Sequence, residues 1–208
     1  IFLANRLFGY SLKIKRKIFL MKIDLTRFNY LINEKYLNSQ KHPKYPLLIF
    51  NYAPKVQYEK LWNEETLMCR GLITTLEGEV IARPFPKFFN LEEHNEGLPN
   101  ESFSVYEKLD GSLGILYFYD NKPYIATRGS FSSEQSEKAN KIFQDKYNHL
   151  PFNTAHTYLF EIIYPENRIV VDYGKKEDLI LLAVIDTETG KDLELPDWEI
   201  AKVKKHDA

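Results

Sequence analysis

Residues 106–112 read Tyr106-Glu107-Lys108-Leu109-Asp110-Gly111-Ser112. Strand-like runs flank this stretch on both sides, at 103–106 and 113–119, so it predicts a lysine at a strand end followed by a tight turn. If the N–H groups of that turn are bare, they can contact the phosphate of a nucleotide that the lysine attacks. Asp-Gly is also a common hairpin turn, so a surface hairpin with an exposed lysine fits equally well.

Composition narrows the class of protein. The chain has 208 residues, 44% of them hydrophobic and 14% aromatic, which is enough apolar material for one good core. A net charge of -1 argues against a uniformly basic nucleic-acid-binding surface and leaves room for a local basic groove. The single cysteine, Cys69, excludes an intrachain disulfide and fits a reducing cytoplasm.

Both ends of the sequence are unusual. The first methionine is Met21, and residues 1–20 match neither a secretory signal nor a membrane span. We expect residues 1–20 to be an extraneous or upstream-translated leader and residues 21–208 to be one partial domain. The helix-like, lysine-rich stretch Pro196–His206 has no closing turn, so we expect the domain to be incomplete at its C-terminus.

Strands outnumber helices along the chain. Asp24 is a good N-cap for a first helix, and a second helix is expected over 132–148. A loop is expected after the first strand, carrying Tyr58 and Trp62. Strands are expected over 47–52, 66–76, 80–83, 103–109, 113–119, 124–127, 157–163 and 179–186. The short turns between them predict an α+β fold of antiparallel sheets with flanking helices.

Several cations near strand ends could surround the lysine. A lysine nucleophile has to lose its proton, and nearby positive charges would favour the neutral amine while neutralising a triphosphate. These cations are Arg70, Arg83, Lys87 and Arg128. A magnesium ion would need only one or two carboxylates, and we assign no residue to it.

An aromatic run and one acid complete the candidate site. In Arg83–Asn90, a phenylalanine could stack on a purine, although Phe85, Phe88 and Phe89 would also suit the core. Glu161 lies within an apolar strand and needs a partner. It either pairs with an arginine such as Arg168 or faces a ligand, and we favour the ligand.

Lys108–Ser112 resembles the KxDG nucleotidyl-lysine motif of DNA ligases, RNA ligases and mRNA capping enzymes. Four further stretches occur in the order seen in ATP-dependent RNA ligases of the bacteriophage T4 tRNA-repair type, the T4 RNA ligase 1-like family. These are Ile49–Tyr52, Cys69–Leu72, Arg83–Asn90, and Phe160-Glu161 with Tyr164–Val171. The resemblance covers roughly 47–190 and implies a nucleotidyltransferase (ATP-grasp-like ligase) domain.

The resemblance implies ATP and Mg²⁺ as cofactors and a lysyl-AMP intermediate on Lys108. It implies that Arg70 and Lys87 contact the triphosphate and that Phe89 stacks on adenine.

It further implies that Glu107, or its backbone, reads the adenine amino group, and that Gly111 lets the backbone close on the nucleotide. Glu161 would hold the ribose. Arg128 stands where the family often has lysine, which leaves its role less defined.

The sequence departs from the family in its last part. We find neither the later Glu-Gly motif nor the lysine pair that grips the α-phosphate. Lys202-Val203-Lys204 has a similar spacing, but we interpret these as solvated lysines on a helix. The 208 residues alone are therefore expected to adenylylate themselves poorly or not at all.

The sequence thus favours an ATP-dependent RNA ligase that joins RNA 3′-hydroxyl and 5′-phosphate ends in RNA repair, with tRNA as one candidate substrate. The alternatives are a DNA ligase or capping guanylyltransferase, or a non-catalytic nucleotide- or RNA-binding remnant. No membrane partner is expected.

Overall fold

The computed structural model describes residues 22–90, 93 and 104–206. The predicted leader and the start of the strand predicted from Phe103 lie outside these residues. The helices are α1 (Leu25–Asn33), α2 (Pro54–Glu59), α3 (Glu64–Met68) and α4 (Glu134–Lys146). The strands are β1 (Leu37–Lys41), β2 (Leu47–Tyr52), β3 (Arg70–Thr75), β4 (Val80–Ala82), β5 (Val105–Tyr106), β6 (Ser112–Tyr119), β7 (Lys122–Thr127), β8 (His156–Ile163), β9 (Asp178–Asp186), β10 (Asp192–Leu193) and β11 (Lys205–His206).

The strands form three antiparallel sheets. One has the order β1-β2-β3-β4, a second the order β10-β9-β8-β6-β7, and a third pairs β11 with β5. The neighbouring named strands run antiparallel in every pairing within the described residues. The predicted α+β class with antiparallel sheets is confirmed.

The two larger sheets pack against each other, and α1 and α4 cover their outer faces. Apolar residues that alternate along the strands form these contacts. Ile49 of β2 and Ile115 of β6 share a buried cluster between the sheets. Phe50, one residue further along, packs instead with Phe28 of α1 on the outer face of the four-stranded sheet. Leu116 likewise points away from the inter-sheet cluster and packs with residues of α4. This period of two is what a strand buried on both faces requires.

The two predicted long helices are present with their predicted caps. Asp24 Oδ1 accepts the N–H groups of Thr26 and Arg27 at the start of α1. Ser133 accepts the Ser136 N–H at the start of α4. These bonds satisfy N–H groups that have no partner within the helix.

Several local expectations of secondary structure were wrong. The segment after β2, expected as a loop, begins with α2, whose first residue is Pro54. Thr66–Met68, expected in a strand, lies in α3, because Asn63 and Thr66 form a reciprocal capping box that starts a helix there.

The helix predicted over Pro196–His206 is also wrong. Residues 201–206 are extended, since the Leu181 N–H donates to Ala201 O and the Val203 N–H donates to Leu181 O. Lys205 and His206 then pair with β5. Pairing with these strands, together with the burial of Ile200 and Val203, outweighed the local helical pattern.

The hairpin interpretation of the Asp-Gly turn is wrong as well. β5 pairs with β11, whereas β6 pairs with β7 and β8. Residues 108–111, called the lysine turn below, therefore connect two different sheets and lie outside every named strand.

Gly71 allows the four-stranded sheet to approach the end of β7. Its φ is +106°, and a Cβ there would lie 2.3 Å from Ile115 Cδ1 and 3.2 Å from the backbone oxygen of Arg128. A side chain would meet both a clash and an unfavourable backbone conformation.

We predict that Gly71→Ala lowers the free energy of unfolding by about 2 kcal/mol or more, measured by urea denaturation. The matched control is Gly129→Ala, where the added Cβ would meet nothing closer than Asn51 Nδ2 at 3.9 Å. Equal effects of the two substitutions would contradict this account of Gly71.

Candidate active site

The lysine turn packs directly on Glu161 of β8. The Gly111 N–H donates to Glu161 Oε1 at 2.7 Å. A Cβ on Gly111 would lie 2.5 Å from the Ile162 carbonyl oxygen, so this close approach requires glycine. The Lys108 side chain is half-exposed, with Nζ 3.8 Å from Asp110 Oδ1.

Glu161 faces the candidate site and not Arg168, which instead pairs with Asp172 at 2.8 Å. Burial raises the pKa of Glu161 to about 7, while the Gly111 N–H and the charges of Lys108 and Arg70 oppose that rise. The acid therefore belongs to one electrostatic group with both cations, and it holds its proton more readily than an exposed glutamate does.

Arg70 begins β3 beside Asn51 of β2, its partner in the sheet register. Burial lowers the pKa of Arg70; the nearby Tyr52 and Glu161 act against this, and the nearby Arg128 adds to it. Arg70 Nη1 and Asn51 Oδ1 are buried and have no hydrogen-bond partner among the described residues. A buried guanidinium nitrogen in this state is prepared to bind an anionic ligand.

Arg128 and Lys87 lie near Arg70. Arg128 is exposed, with its guanidinium carbon 5.6 Å from the Tyr52 ring centroid. The positive charge of Arg70 contributes to lowering the pKa of Lys87, although burial is the larger cause. The structure thus brings together three of the four cations named from the sequence.

The fourth cation, Arg83, is not part of this group. Its side chain is 4% exposed and donates from Nε to Thr187 O at 2.6 Å, while its backbone N–H donates to Thr157 Oγ1. Thr157 is four residues from Glu161, about 13 Å along β8. Arg83 therefore ties β4 to the far end of the five-stranded sheet, and the expectation that it joins the phosphate site was wrong.

The three phenylalanines of the aromatic run have different surroundings. Phe85 packs against the inter-sheet core. Phe88 is 55% exposed, under the guanidinium of Arg70 at 4.6 Å. Phe89 is half-buried against Trp62, and Lys87 Nζ lies 4.4 Å from its ring centroid.

Two of the four backbone N–H groups of the lysine turn are not bare. The Asp110 N–H donates to Tyr173 Oη at 2.9 Å, and the Gly111 N–H is taken by Glu161. Glu107 is also engaged, because its N–H donates to Lys204 O and its Oε1 accepts the Lys204 N–H. The Asp110 and Gly111 N–H groups can therefore contact a phosphate only by exchanging these partners.

Tyr173 and Trp62 were not selected from the sequence as site residues. Each contacts the site through a residue distant in the chain, Asp110 in one case and Phe89 in the other. No spacing rule within a single sequence links such pairs. Tyr164–Val171, which follows Glu161, was singled out from the sequence, but only because this stretch resembles one in the RNA ligase family.

A metal ion would find few ligands here. The described residues contain no cluster of three or more His, Cys, Asp or Glu side chains that could hold one. Asp110 Oδ2 already accepts the N–H groups of Val170 and Val171. Glu161 is the better-placed carboxylate, which fits a hydrated ion held mainly by water and substrate.

None of the helices in the described ranges is long and apolar enough to cross a membrane.

The fold and this site define an α+β domain of the nucleotidyltransferase type, in which a lysine, a buried acid and three cations converge beside a strand end. An RNA ligase family profile, of the T4 RNA ligase 1 type, matches residues 68–206, which is more than half of the chain. The chain therefore belongs to this RNA ligase family.

Three relatives show the extent of the similarity. The RNA ligase of Rhodothermus phage RM378 is 29% identical, over 69% of this chain and 42% of the relative. A provisionally named RNA ligase of Thermovibrio ammonificans is 34% identical, over 58% of this chain and 34% of the relative. A provisionally named bifunctional polynucleotide kinase/RNA ligase of Autographa californica nuclear polyhedrosis virus is 29% identical, over 73% of this chain and 26% of the relative. The chain thus spans less than half the length of each relative.

The raised pKa of Glu161 predicts a specific pH dependence of stability. A pKa that rises from 4.5 to about 7 on folding means that the native state binds the extra proton between these values. The contribution of Glu161 to the free energy of unfolding is therefore fully present below about pH 4.5 and is lost as the pH rises through 7. We expect Glu161→Gln, relative to the wild type, to gain about 2 kcal/mol in unfolding free energy between pH 5 and pH 8.

Urea denaturation of both proteins at the two pH values measures this difference. The matched control is Glu166→Gln, which changes an exposed carboxylate on the segment after β8. A difference between wild type and Glu161→Gln that does not change with pH would show that Glu161 is not buried as described.

Proposed function

We propose that this domain is the adenylyltransferase part of an ATP-dependent RNA ligase. The observation that carries the proposal is the convergence of Lys108, Glu161 and Arg70, whose buried Nη1 has no hydrogen-bond partner among the described residues. Membership of the RNA ligase family supports it and implies the use of a nucleotide and a divalent metal ion.

The reaction has three steps, each an in-line displacement at phosphorus. Lys108 Nζ attacks the α-phosphorus of ATP, a phosphorus–nitrogen bond forms, and pyrophosphate leaves. The AMP group is then transferred to the 5′-phosphate of the RNA, which releases the lysine. The RNA 3′-hydroxyl finally attacks that 5′-phosphorus, and AMP leaves as the phosphodiester forms.

Side chains supply the electrostatic part of this chemistry. Arg70, Lys87 and Arg128 bind the phosphates, since the Asp110 and Gly111 N–H groups already have partners. Mg²⁺, when bound, offsets charge on the phosphate oxygens. Glu161 holds the ribose, in competition with its bond to Gly111.

For adenine to bind, the side chains of Lys87 and Glu107 must exchange their present partners for the nucleotide. Lys87 Nζ now lies over the Phe89 ring and donates to Phe88 O at 2.5 Å. Movement of Lys87 to the triphosphate uncovers that ring face, on which adenine stacks. Glu107 reads the adenine amino group through its carboxylate or its backbone, with Lys204 as its present partner.

The substrate is an RNA with a 3′-hydroxyl and a 5′-phosphate end, and tRNA is one candidate. A cytoplasmic location, in a bacterial or phage-infected cell, is part of the same proposal. Such a location supplies both ATP and RNA.

We predict that Lys108→Arg abolishes covalent labelling by α-³²P-ATP, because a guanidinium keeps the charge but is no nucleophile at neutral pH. The complete gene product that contains this sequence is incubated with Mg²⁺ and labelled ATP, then run on a denaturing gel. The matched control is Lys122→Arg, an exposed lysine at the start of β7, which should label like the wild type.

The same assay distinguishes the alternatives. Labelling by GTP in preference to ATP would favour a capping guanylyltransferase, and sealing of nicked DNA in preference to RNA would favour a DNA ligase. Binding of ATP without any labelling of the wild type would leave a non-catalytic module.

A further inference from the structure

The segment that follows β8, residues 164–174, packs against the lysine turn. Asp110 is the centre of this contact. Its N–H donates to Tyr173 Oη at 2.9 Å, and its Oδ2 accepts the N–H groups of Val170 at 2.6 Å and Val171 at 2.9 Å. The two hydrogen bonds to the carboxylate lower the pKa of Asp110. Both the backbone and the side chain of Asp110 are thus held by one loop.

A second contact lies at the other end of the turn. Ser112 Oγ and Asn167 Oδ1 are 3.1 Å apart, with the hydroxyl as donor, and Asn167 Nδ2 donates to Ile162 O at 3.0 Å. Asn167 therefore joins the first residue of β6 to the end of β8. The loop therefore contacts the second half of the turn, at Asp110, and the beginning of β6, at Ser112.

The lysine turn depends on such contacts because its backbone does not pair with a neighbouring strand. Residues 108–111 belong to no strand, and the flanking strands β5 and β6 lie in different sheets. Two hydrogen bonds are described for the turn's backbone N–H groups: Gly111 donates to Glu161, and Asp110 donates to Tyr173 of the 164–174 segment. Lys108 is two residues from the N–H group that Tyr173 holds.

We propose that Tyr173 is a positioning residue for Lys108: its hydroxyl fixes the Asp110 peptide and thereby aims the amine at the α-phosphorus. This inference rests on the proposed function. Tyr173 makes none of the contacts assigned to the nucleotide, so its effect should fall on the rate of the chemical step and not on nucleotide affinity. Displacements of about 1 Å at a reacting group can cost about a hundredfold in rate.

The test is Tyr173→Phe in the complete gene product, which keeps the ring and removes the acceptor. We expect the rate of lysyl-AMP formation at saturating ATP to fall about ten- to a hundredfold, with the ATP dissociation constant within about twofold of wild type. Amide hydrogen exchange should accelerate at Asp110, a readout independent of activity. Tyr58→Phe, at an 84% exposed tyrosine, is the matched control and should change none of the three.

The outcomes separate this inference from the function on which it rests. If the wild type forms lysyl-AMP and Tyr173→Phe forms it as fast, the positioning role is refuted and the proposed function stands. If the wild type forms none, both fail together. A parallel loss of ATP affinity and rate would indicate a general structural role and would also refute the inference. If Tyr173→Phe fails to fold, the same measurements on Asn167→Ala, which cuts the second contact, decide the matter.

Discussion

The antiparallel register between β6 and β8 fixes the lysine turn relative to the acid. Ser112 pairs with Ile162 and Leu113 with Glu161, so the turn that precedes β6 must lie over the end of β8. Glu161 follows the pattern of Leu159, on the face between the two sheets, whereas Ile162 points to the α4 side. A slip of one residue would send Glu161 to the wrong face and separate it from Lys108 and Arg70.

The second requirement is that the two large sheets meet at this same end. The inter-sheet core holds them face to face, but the close approach of β3 to the end of β7 depends on Gly71. Arg70 precedes this glycine, and Arg128 is the residue whose backbone the glycine contacts. One position without a side chain therefore brings Arg128, at the end of β7, close to Arg70 of β3, and Arg70 in turn lies near the acid on β8.

The sequence predicted what depends on local pattern. The α+β class, the capped helices α1 and α4, and the strand β6 after Lys108 all follow from caps, turn residues and periodicity. The strand predicted over 103–109 was too long, since 107–109 lie outside any strand and β5 is only Val105–Tyr106. The sequence also named Arg70, Lys87 and Arg128 as cations near strand ends, and the structure places them near one another. Arg83 shows the limit of that reasoning, since its position near a strand end gave no indication that it faces Thr187 and Thr157.

The errors share a physical cause. The bonds that displaced the predicted helix at 196–206, and those that occupy the N–H groups of the lysine turn, join residues far apart in the chain. Local propensity cannot register such partners. The capping box of α3 differs, because Asn63 and Thr66 are three residues apart and a closer reading of the sequence could have found it.

A comparison of Arg83 and Arg70 separates a structural role from a binding role. Arg83 donates to protein oxygens at the far end of the sheet, and it helps to hold β4 in place. Arg70 is partly buried, but its buried Nη1 has no hydrogen-bond partner among the described residues, and its neighbour Glu161 is an acid whose pKa burial has raised. Both features lower the stability of the free protein, and three apolar clusters around the sheets offset that cost. A bound triphosphate would supply acceptors for Arg70, and a bound ribose would supply a donor for Glu161. The proposed site is therefore one whose polar groups are left for a ligand to complete, as expected where function opposes stability.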